Sequence, residues 1–276
     1  MLPANDPERL LSMSAFEAAF ILRRFRVLNP TYQDEQLIES IRSVRADFYP
    51  NDYDAGLALE RIIPKHLDGT SDVDYFKAAI QGLIDTHQPL WVRLAPGGRE
   101  YVLQAVSING TQCFRNAGLL ETPPGRDVSD WWDALAARVR NERDARLLDR
   151  GREAERRSLA FERCRLRALG IDREPRWVSI EDNNAGYDIL SYDPGAIEPV
   201  NKIIEVKSSI QEPPRIIVTR GEWNAALTYG DAYVFQVWGV GAIKPIEISV
   251  ASMAAHVPLD QGVGGWLKVE IVIETK

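Results

Sequence analysis

Two short stretches of the chain hold residues that could do hydrolytic chemistry together. Glu205-Val206-Lys207 sets an acid and a lysine two positions apart in an apolar run that begins at Ile203. Side chains alternate along a strand, so Glu205 and Lys207 share one face and Val206 points to the other. Asp188 heads a second strand-like run, Tyr187 to Tyr192. A hairpin between the two runs would bring Asp188 across the ladder from Glu205. The apolar neighbours predict a strand covered on both faces, where a Glu and a Lys are costly unless paired or metal-bound. Two carboxylates and a main-chain carbonyl are hard oxygen donors suited to Mg²⁺ or Mn²⁺, with Asp188 and Glu205 as the metal ligands. Such an ion polarises a phosphate and acidifies a water. The Lys207 ammonium can orient or help deprotonate that water, or offset charge on phosphate oxygens. The chemistry is phosphodiester hydrolysis. Glu155, on a preceding helix, is a candidate further acid. The plain alternative is a structural ion-pair cluster, which at a surface contributes little.

The elements that must position these groups form a compact alternation. Trp177 to Ile180, Tyr187 to Tyr192, Lys202 to Ser208 and Ile216 to Thr219 read as strands. Thr219-Arg-Gly-Glu222 fits a capping box and predicts a helix from about Arg220 to Tyr229. Ala232 to Val240 is an apolar strand, and Ile246 to Val250 and Leu267 to Ile273 add more. This order predicts a mixed sheet with helices against it. Upstream, Val128 to Leu148 reads as a charged helix that Gly151 can interrupt. A second helix then runs to about Leu169, with Gly170 as its cap. The first ninety residues read as helical, punctuated by Pro30, Pro50, Pro64 and Pro89. Leu90 to Leu94, Glu100 to Val106 and Gln112 to Phe114 look like short strands joined by turns at Pro96-Gly97-Gly98 and Asn109-Gly110. Thr122-Pro-Pro-Gly125 is the linker. The expected domains are therefore 1–125 and 126–276.

The second half resembles the NO VEIN C-terminal domain, a branch of the PD-(D/E)xK nuclease superfamily. The resemblance rests on Gly151-x-x-x-Glu155, Asn184-Ala-Gly-Tyr-Asp188-Ile, Ile204-Glu205-Val-Lys207-Ser-Ser209, Thr219-Arg-Gly-Glu222-Trp and Gly230-Asp-Ala-Tyr233-Val-Phe, spread over about residues 149–240. It implies an α/β fold with a restriction-endonuclease-like core and Asp188, Glu205 and Lys207 as the active-site triplet, with Glu155 as the helix acid. Tyr187 stands where the superfamily name has proline. The implied activity is that of a Mg²⁺- or Mn²⁺-dependent endonuclease acting on DNA, here after a mainly helical N-terminal domain with a small β element. By analogy, such a protein belongs to a bacterial defence or restriction system, with partner proteins of that system and an N-terminal domain that senses a trigger or selects the target. One site cuts one strand, so double-strand cleavage would call for a homodimer. A catalytically inactive module of the same fold, binding nucleic acid or a protein partner, is the alternative.

Composition narrows the rest. The 276 residues are 45% hydrophobic and 26% charged, as in a globular protein rather than a disordered one. Short apolar runs and two distant cysteines speak against a membrane span, a signal peptide, a disulfide scaffold or a cysteine zinc site, so a cytoplasmic protein is expected. The net charge is −7, yet Arg138 to Arg176 holds thirteen Arg against eight acids. That surface is either a helix laced with ion pairs or one that meets phosphates. His66, His87 and His256 show no metal-ligand spacing. No phosphate-binding G-x-x-x-x-G-K-[ST] or acyl-hydrolase G-x-S-x-G motif occurs. Trp131 and Trp132 read as docking the connecting helix, Trp223 and Tyr229 as core, Glu222 as a capping acid, and Ser208 and Ser209 as turn or phosphate-orienting groups.

Overall fold

The computed structural model describes residues 3–44, 46–48, 50–64, 71–182, 184–260 and 262–274. His66 lies outside them. The chain divides into two compact units, Met1–Arg143 and Asp144–Lys276.

The described residues of the first unit form helices joined by turns and loops, with no strand among them. The unit contains α1 (Pro7–Leu10), α2 (Met13–Leu28), α3 (Asp34–Val44), α4 (Tyr53–Ile62), α5 (Asp72–His87), α6 (Arg99–Ala105), α7 (Ile108–Asn116) and the start of α8 (Arg126–Ala168). Ser12, Asp52, Ser71 and Ser107 cap α2, α4, α5 and α7 by accepting N–H groups of their first turns. The core joins Phe16, Leu59, Tyr75, Ile80, Leu83, Trp91 and Phe114 to Val128, Trp132 and Val139 of α8. Trp132 stacks on Phe114 with ring centroids 5.6 Å apart and donates its indole N–H to the Leu119 carbonyl at 3.0 Å. Both tryptophans of this stretch are therefore packing residues, since Trp131 meets Trp132 edge-on at 4.9 Å.

The expected small β element is a correction. Leu90–Gly97 is a 3₁₀ helix, and the other two runs lie in α6 and α7. Trp91, Val92 and Ala95 are buried at i, i+1 and i+4, and Cys113 and Phe114 share one buried side of α7. Runs this short read equally as strand or as helix, and tertiary packing decides. Asn109-Gly110 opens α7 behind its Ser107 cap rather than forming a hairpin turn. A Cβ on Gly110 would stand 3.0 Å from the Leu11 side chain, so the glycine serves a close approach.

Helix α8 likewise runs unbroken through Gly151. Nothing lies within 4 Å of where a Cβ on Gly151 would be, and the roughly 1 kcal/mol penalty of a mid-helix glycine does not stop the helix. The boundary between the two units falls inside this helix, at Arg143/Asp144, rather than at Thr122–Gly125. The helix belongs to the first core as far as Val139 and to the second from Ala154. Its end is the expected one: Gly170 adopts φ +69°, and Ile171 N–H bonds back to Leu166 O.

The second unit is a mixed α/β fold. After α8 come β1 (Arg176–Trp177), α9 (Val178–Glu181), β2 (Ile189–Asp193), β3 (Val200–Ser208), β4 (Arg215–Thr219), α10 (Arg220–Tyr229), β5 (Tyr233–Trp238), β6 (Ile246–Ser249), α11 (Val250–Ala254) and β7 (Lys268–Val272). The main sheet has the order β1-β2-β3-β5-β6, while β4 and β7 pair separately. Strands β3 and β5 are parallel, and the other pairs are antiparallel. Trp177–Ile180 is thus only partly strand, because the chain turns into α9 after Trp177.

Strand alternation splits β3 as expected. Ile204 and Val206 join Ile189, Trp238 and Ala154 of α8 on one face. Ile203 joins Tyr233, Phe235 and Val237, together with Trp223 and Ala226 of α10, on the other. The α8 face also carries a buried polar knot. Glu162 accepts from Ser191 Oγ at 2.7 Å, Gln236 Nε2 at 2.7 Å and Arg165 Nε at 2.8 Å. Lys202 bridges Glu162 and Glu247. Pairing of this kind is what permits charged groups inside a core.

Candidate active site

The hairpin of β2 and β3 sets the geometry. Ile189 pairs with Ile204, and Asp188 N–H donates to Ile204 O at 2.9 Å. Asp188 therefore stands across the ladder from Glu205. Its Oδ2 accepts the Val206 N–H at 2.8 Å. The turn before it requires Gly186, which has φ +77° and whose Cβ would stand 2.7 Å from that of Ala225. Tyr233 on β5 secures that turn by donating its hydroxyl to Gly186 O at 2.9 Å.

Lys207 points to the same face as Glu205. Its Nζ lies 2.7 Å from Glu205 Oε1 and 2.7 Å from Glu222 Oε2. Glu222 is the N3 residue of α10 and completes the expected capping box with Thr219. The sequence pattern assigned it only that task; its hold on Lys207 comes from α10 packing on this face of the sheet. The sequence hints were that this acid lies in one of the motifs carrying the family resemblance and stands close in the chain to the edge of a candidate site.

The electrostatics follow from burial and crowding. Burial pushes the Asp188 carboxyl up to about 6; the Val206 N–H opposes this, and the Glu155 charge adds to it. Glu205 is driven well above the ordinary carboxylate range, first by burial and then by Asp188 and Glu222, against the pull of Lys207. Burial alone would lower Lys207, but Glu205 and Glu222 outweigh it and raise its pKa, so it remains an ammonium. The Tyr233 hydroxyl is also raised, by burial and then by the Glu205 charge, and stays protonated.

Glu155 is buried beside this cluster rather than in contact with its lysine. Its Oε2 accepts from Arg152 NH1 at 2.9 Å, from Trp177 Nε1 and from Ser179 Oγ. The Ser179 N–H in turn donates to the Asp188 main-chain carbonyl at 3.2 Å, and the Val178 N–H donates to it at 2.7 Å. Glu155 is thus tied to Asp188 through α9. Trp177 and Ser179 were not legible as site residues, because only folding brings α9 under α8. Ser209 is a turn residue: its Oγ accepts from Gln211 N at 3.2 Å and Arg215 N at 2.9 Å.

The donor set suits a hard divalent cation. When ionised, Asp188, Glu205 and Glu222 carry more negative charge than the single ammonium balances, and a cation would relieve the burial and crowding that raise Asp188 and Glu205. Among the described residues no three His, Cys, Asp or Glu side chains converge to hold an ion by themselves. Two carboxylates with water and substrate phosphate completing the shell is the pattern Mg²⁺ favours.

The arginines of α8 within this unit divide into three groups. Arg152, Arg156, Arg163 and Arg165 pair with Glu155, Glu153, Glu174 and Glu162. Arg157 donates to Ala242 O and lies over the Trp238 ring. Arg146, Arg150 and Arg167 make no ion pair among the described residues.

Residues 154–248 match the family described as Protein NO VEIN, C-terminal. The matched span contains Glu155, Asp188, Glu205, Lys207 and Glu222. No curated protein and no solved structure matches the chain. Among the described residues no helix is long and apolar enough to cross a membrane.

Proposed function

We propose that the second unit is a Mg²⁺- or Mn²⁺-dependent endonuclease of the PD-(D/E)xK type acting on DNA. The observation that carries this reading is the convergence of Asp188, Glu205 and Lys207 on one face of two paired strands, within the span that matches the family. Asp188 and Glu205 would hold the cation. That cation, when bound, supplies a Lewis acid for the scissile phosphate and acidifies the attacking water. Lys207, held as an ammonium, orients the water and offsets charge growing on phosphate oxygens. Glu155 fixes α9 and, through it, the main chain at Asp188. Exposed arginines of α8 that pair with no acid meet the phosphate backbone. Action in a bacterial defence or restriction system, as a dimer for double-strand cleavage and with the first unit choosing the trigger or target, is the biological setting this reading favours. The deciding experiment is cleavage of supercoiled plasmid and single-stranded DNA with Mg²⁺ or Mn²⁺ by wild type and Glu205→Ala. Metal-dependent cutting by wild type that EDTA stops and the variant lacks supports the reading. Equal cutting by both proteins, or cutting in EDTA, refutes it.

A further inference from the structure

Glu222 serves two partners with one oxygen. Its Oε2 accepts the Thr219 N–H at 2.9 Å, closing the first turn of α10, and the Lys207 ammonium at 2.7 Å. The same ammonium lies 2.7 Å from Glu205 Oε1. A capping-box acid needs only the backbone partner. This one is drawn inward instead, with its side chain 20% exposed against a lysine that is 14% exposed.

We propose that Glu222 is a positioning residue that holds Lys207 in the site and keeps it there when a divalent cation takes the Glu205 carboxylate. The inference rests on the nuclease reading above. Under that reading Glu205 has two cationic claimants, Lys207 and the metal ion. The oxygen now facing Lys207 is half of the carboxylate a cation would draw on. A lysine whose only anchor was Glu205 would be loosened by the event that arms the site, because its four-carbon stem is flexible. A second carboxylate removes that conflict. It comes from α10 rather than β3, and its position is fixed by the cap bond to Thr219, so it does not depend on what Glu205 binds. The folding of the first turn of α10 and the placing of Lys207 are then one event.

Glu222→Gln tests this, because glutamine still serves in a capping box while the negative charge facing Lys207 is lost. The direct readout is the lysine ε-ammonium signals of the ¹⁵N-labelled full chain, without and with saturating Mg²⁺. Lys207→Met assigns the Lys207 signal, and buried, paired Lys202 is the internal control. The expected result is a protected Lys207 signal in wild type that persists with Mg²⁺. In Glu222→Gln its exchange should quicken by about 10-fold or more while Lys202 is unchanged. Thr219→Val, which removes the side-chain cap alone, should lower Tm yet keep the Lys207 signal. Cleavage by Glu222→Gln should fall by about 10- to 100-fold in kcat with KM within about twofold. An unchanged Lys207 signal in Glu222→Gln, or its loss in wild type on adding Mg²⁺, overturns the proposal. Absence of cleavage by wild type would count against the nuclease reading, while the ammonium signals would still decide whether Glu222 holds Lys207.

Discussion

The Asp188 carboxylate accepts the Val206 main-chain N–H at 2.8 Å, so the acid of one strand is bonded to the residue between the Glu and the Lys of the next. This bond converts a spacing in sequence into a fixed juxtaposition. It stabilises the charged carboxylate, but burial works harder in the other direction and leaves Asp188 at about 6.

The first prediction concerns pH. The folded pKa of Asp188 is raised from 3.8 to about 6, so the folded protein binds this proton more tightly than the unfolded chain. Its contribution to stability is fully present below about pH 4 and is lost as pH rises through about 6. At 1.36 kcal/mol per pKa unit the loss is on the order of 3 kcal/mol. Denaturant unfolding in EDTA at pH 4.5 and 7.5 should therefore show a smaller decline with pH in Asp188→Asn than in wild type. Identical slopes would contradict the assignment. Adding Mg²⁺ at pH 7.5 should stabilise wild type and leave the variant unmoved.

Lys207→Met should reduce cleavage by roughly 10²- to 10⁴-fold, the range for a group acting in the transition state. It should also destabilise the protein, because Glu205 and Glu222 lose their shared cation; breaking a buried pair costs about 3–5 kcal/mol, and less where solvent reaches it. A folded variant of wild-type activity would remove the lysine from the mechanism. The stability cost should shrink as pH falls and the carboxylates take up protons, which thermal melts across pH would detect.

Glu155→Ala leaves Trp177 Nε1, Ser179 Oγ and Arg152 without their common acceptor. The expected stability loss is about 1–3 kcal/mol, the range for losing hydrogen bonds to a charged acceptor, while Ser179 Oγ still accepts from Trp177 Nε1 and Arg152 NH1. Cleavage should drop by less than in Lys207→Met, since Glu155 works through α9. A larger drop, with stability intact, would mean that Glu155 acts at the reacting atoms instead.

Arginines of α8 should separate into two functional groups. Arg146→Gln and Arg150→Gln should weaken DNA binding and each flatten the slope of log K against log salt by about 1. Arg165→Gln should instead lower Tm, because it leaves buried Glu162 short of a partner. If Arg146 and Arg150 variants bind DNA with the wild-type salt slope, the stretch is a solvated helix face.

The placing of Asp188, Glu205 and Lys207 on one face and most strands around them were legible in the sequence because their signals are local. The alternation of Glu205, Val206 and Lys207, the run after Asp188 and the capping box at Thr219 need only nearby chain. The short runs between Leu90 and Phe114 were not legible in the same way. Runs of three to seven residues fit a strand or a helix turn equally, and burial of Trp91, Val102 and Phe114 in one helical core chose the helix. Gly151 failed as a breaker for a related reason: its local penalty is small beside the packing of α8 on either side of it.

What the sequence determined by itself was a set of chemical types and their faces: two acids and a lysine on one side of a β-hairpin, an acid at the start of a helix, and an arginine-rich helix upstream. Tertiary structure alone decided who touches whom. It gave Lys207 a second carboxylate in Glu222, joined Glu155 to Asp188 through Ser179, and tied the Gly186 turn to Tyr233. The physical reason is range. Propensity, alternation and capping act over a few residues, whereas burial, ion pairing and the crowding that lifts Asp188 and Glu205 depend on elements that meet only when the sheet is assembled.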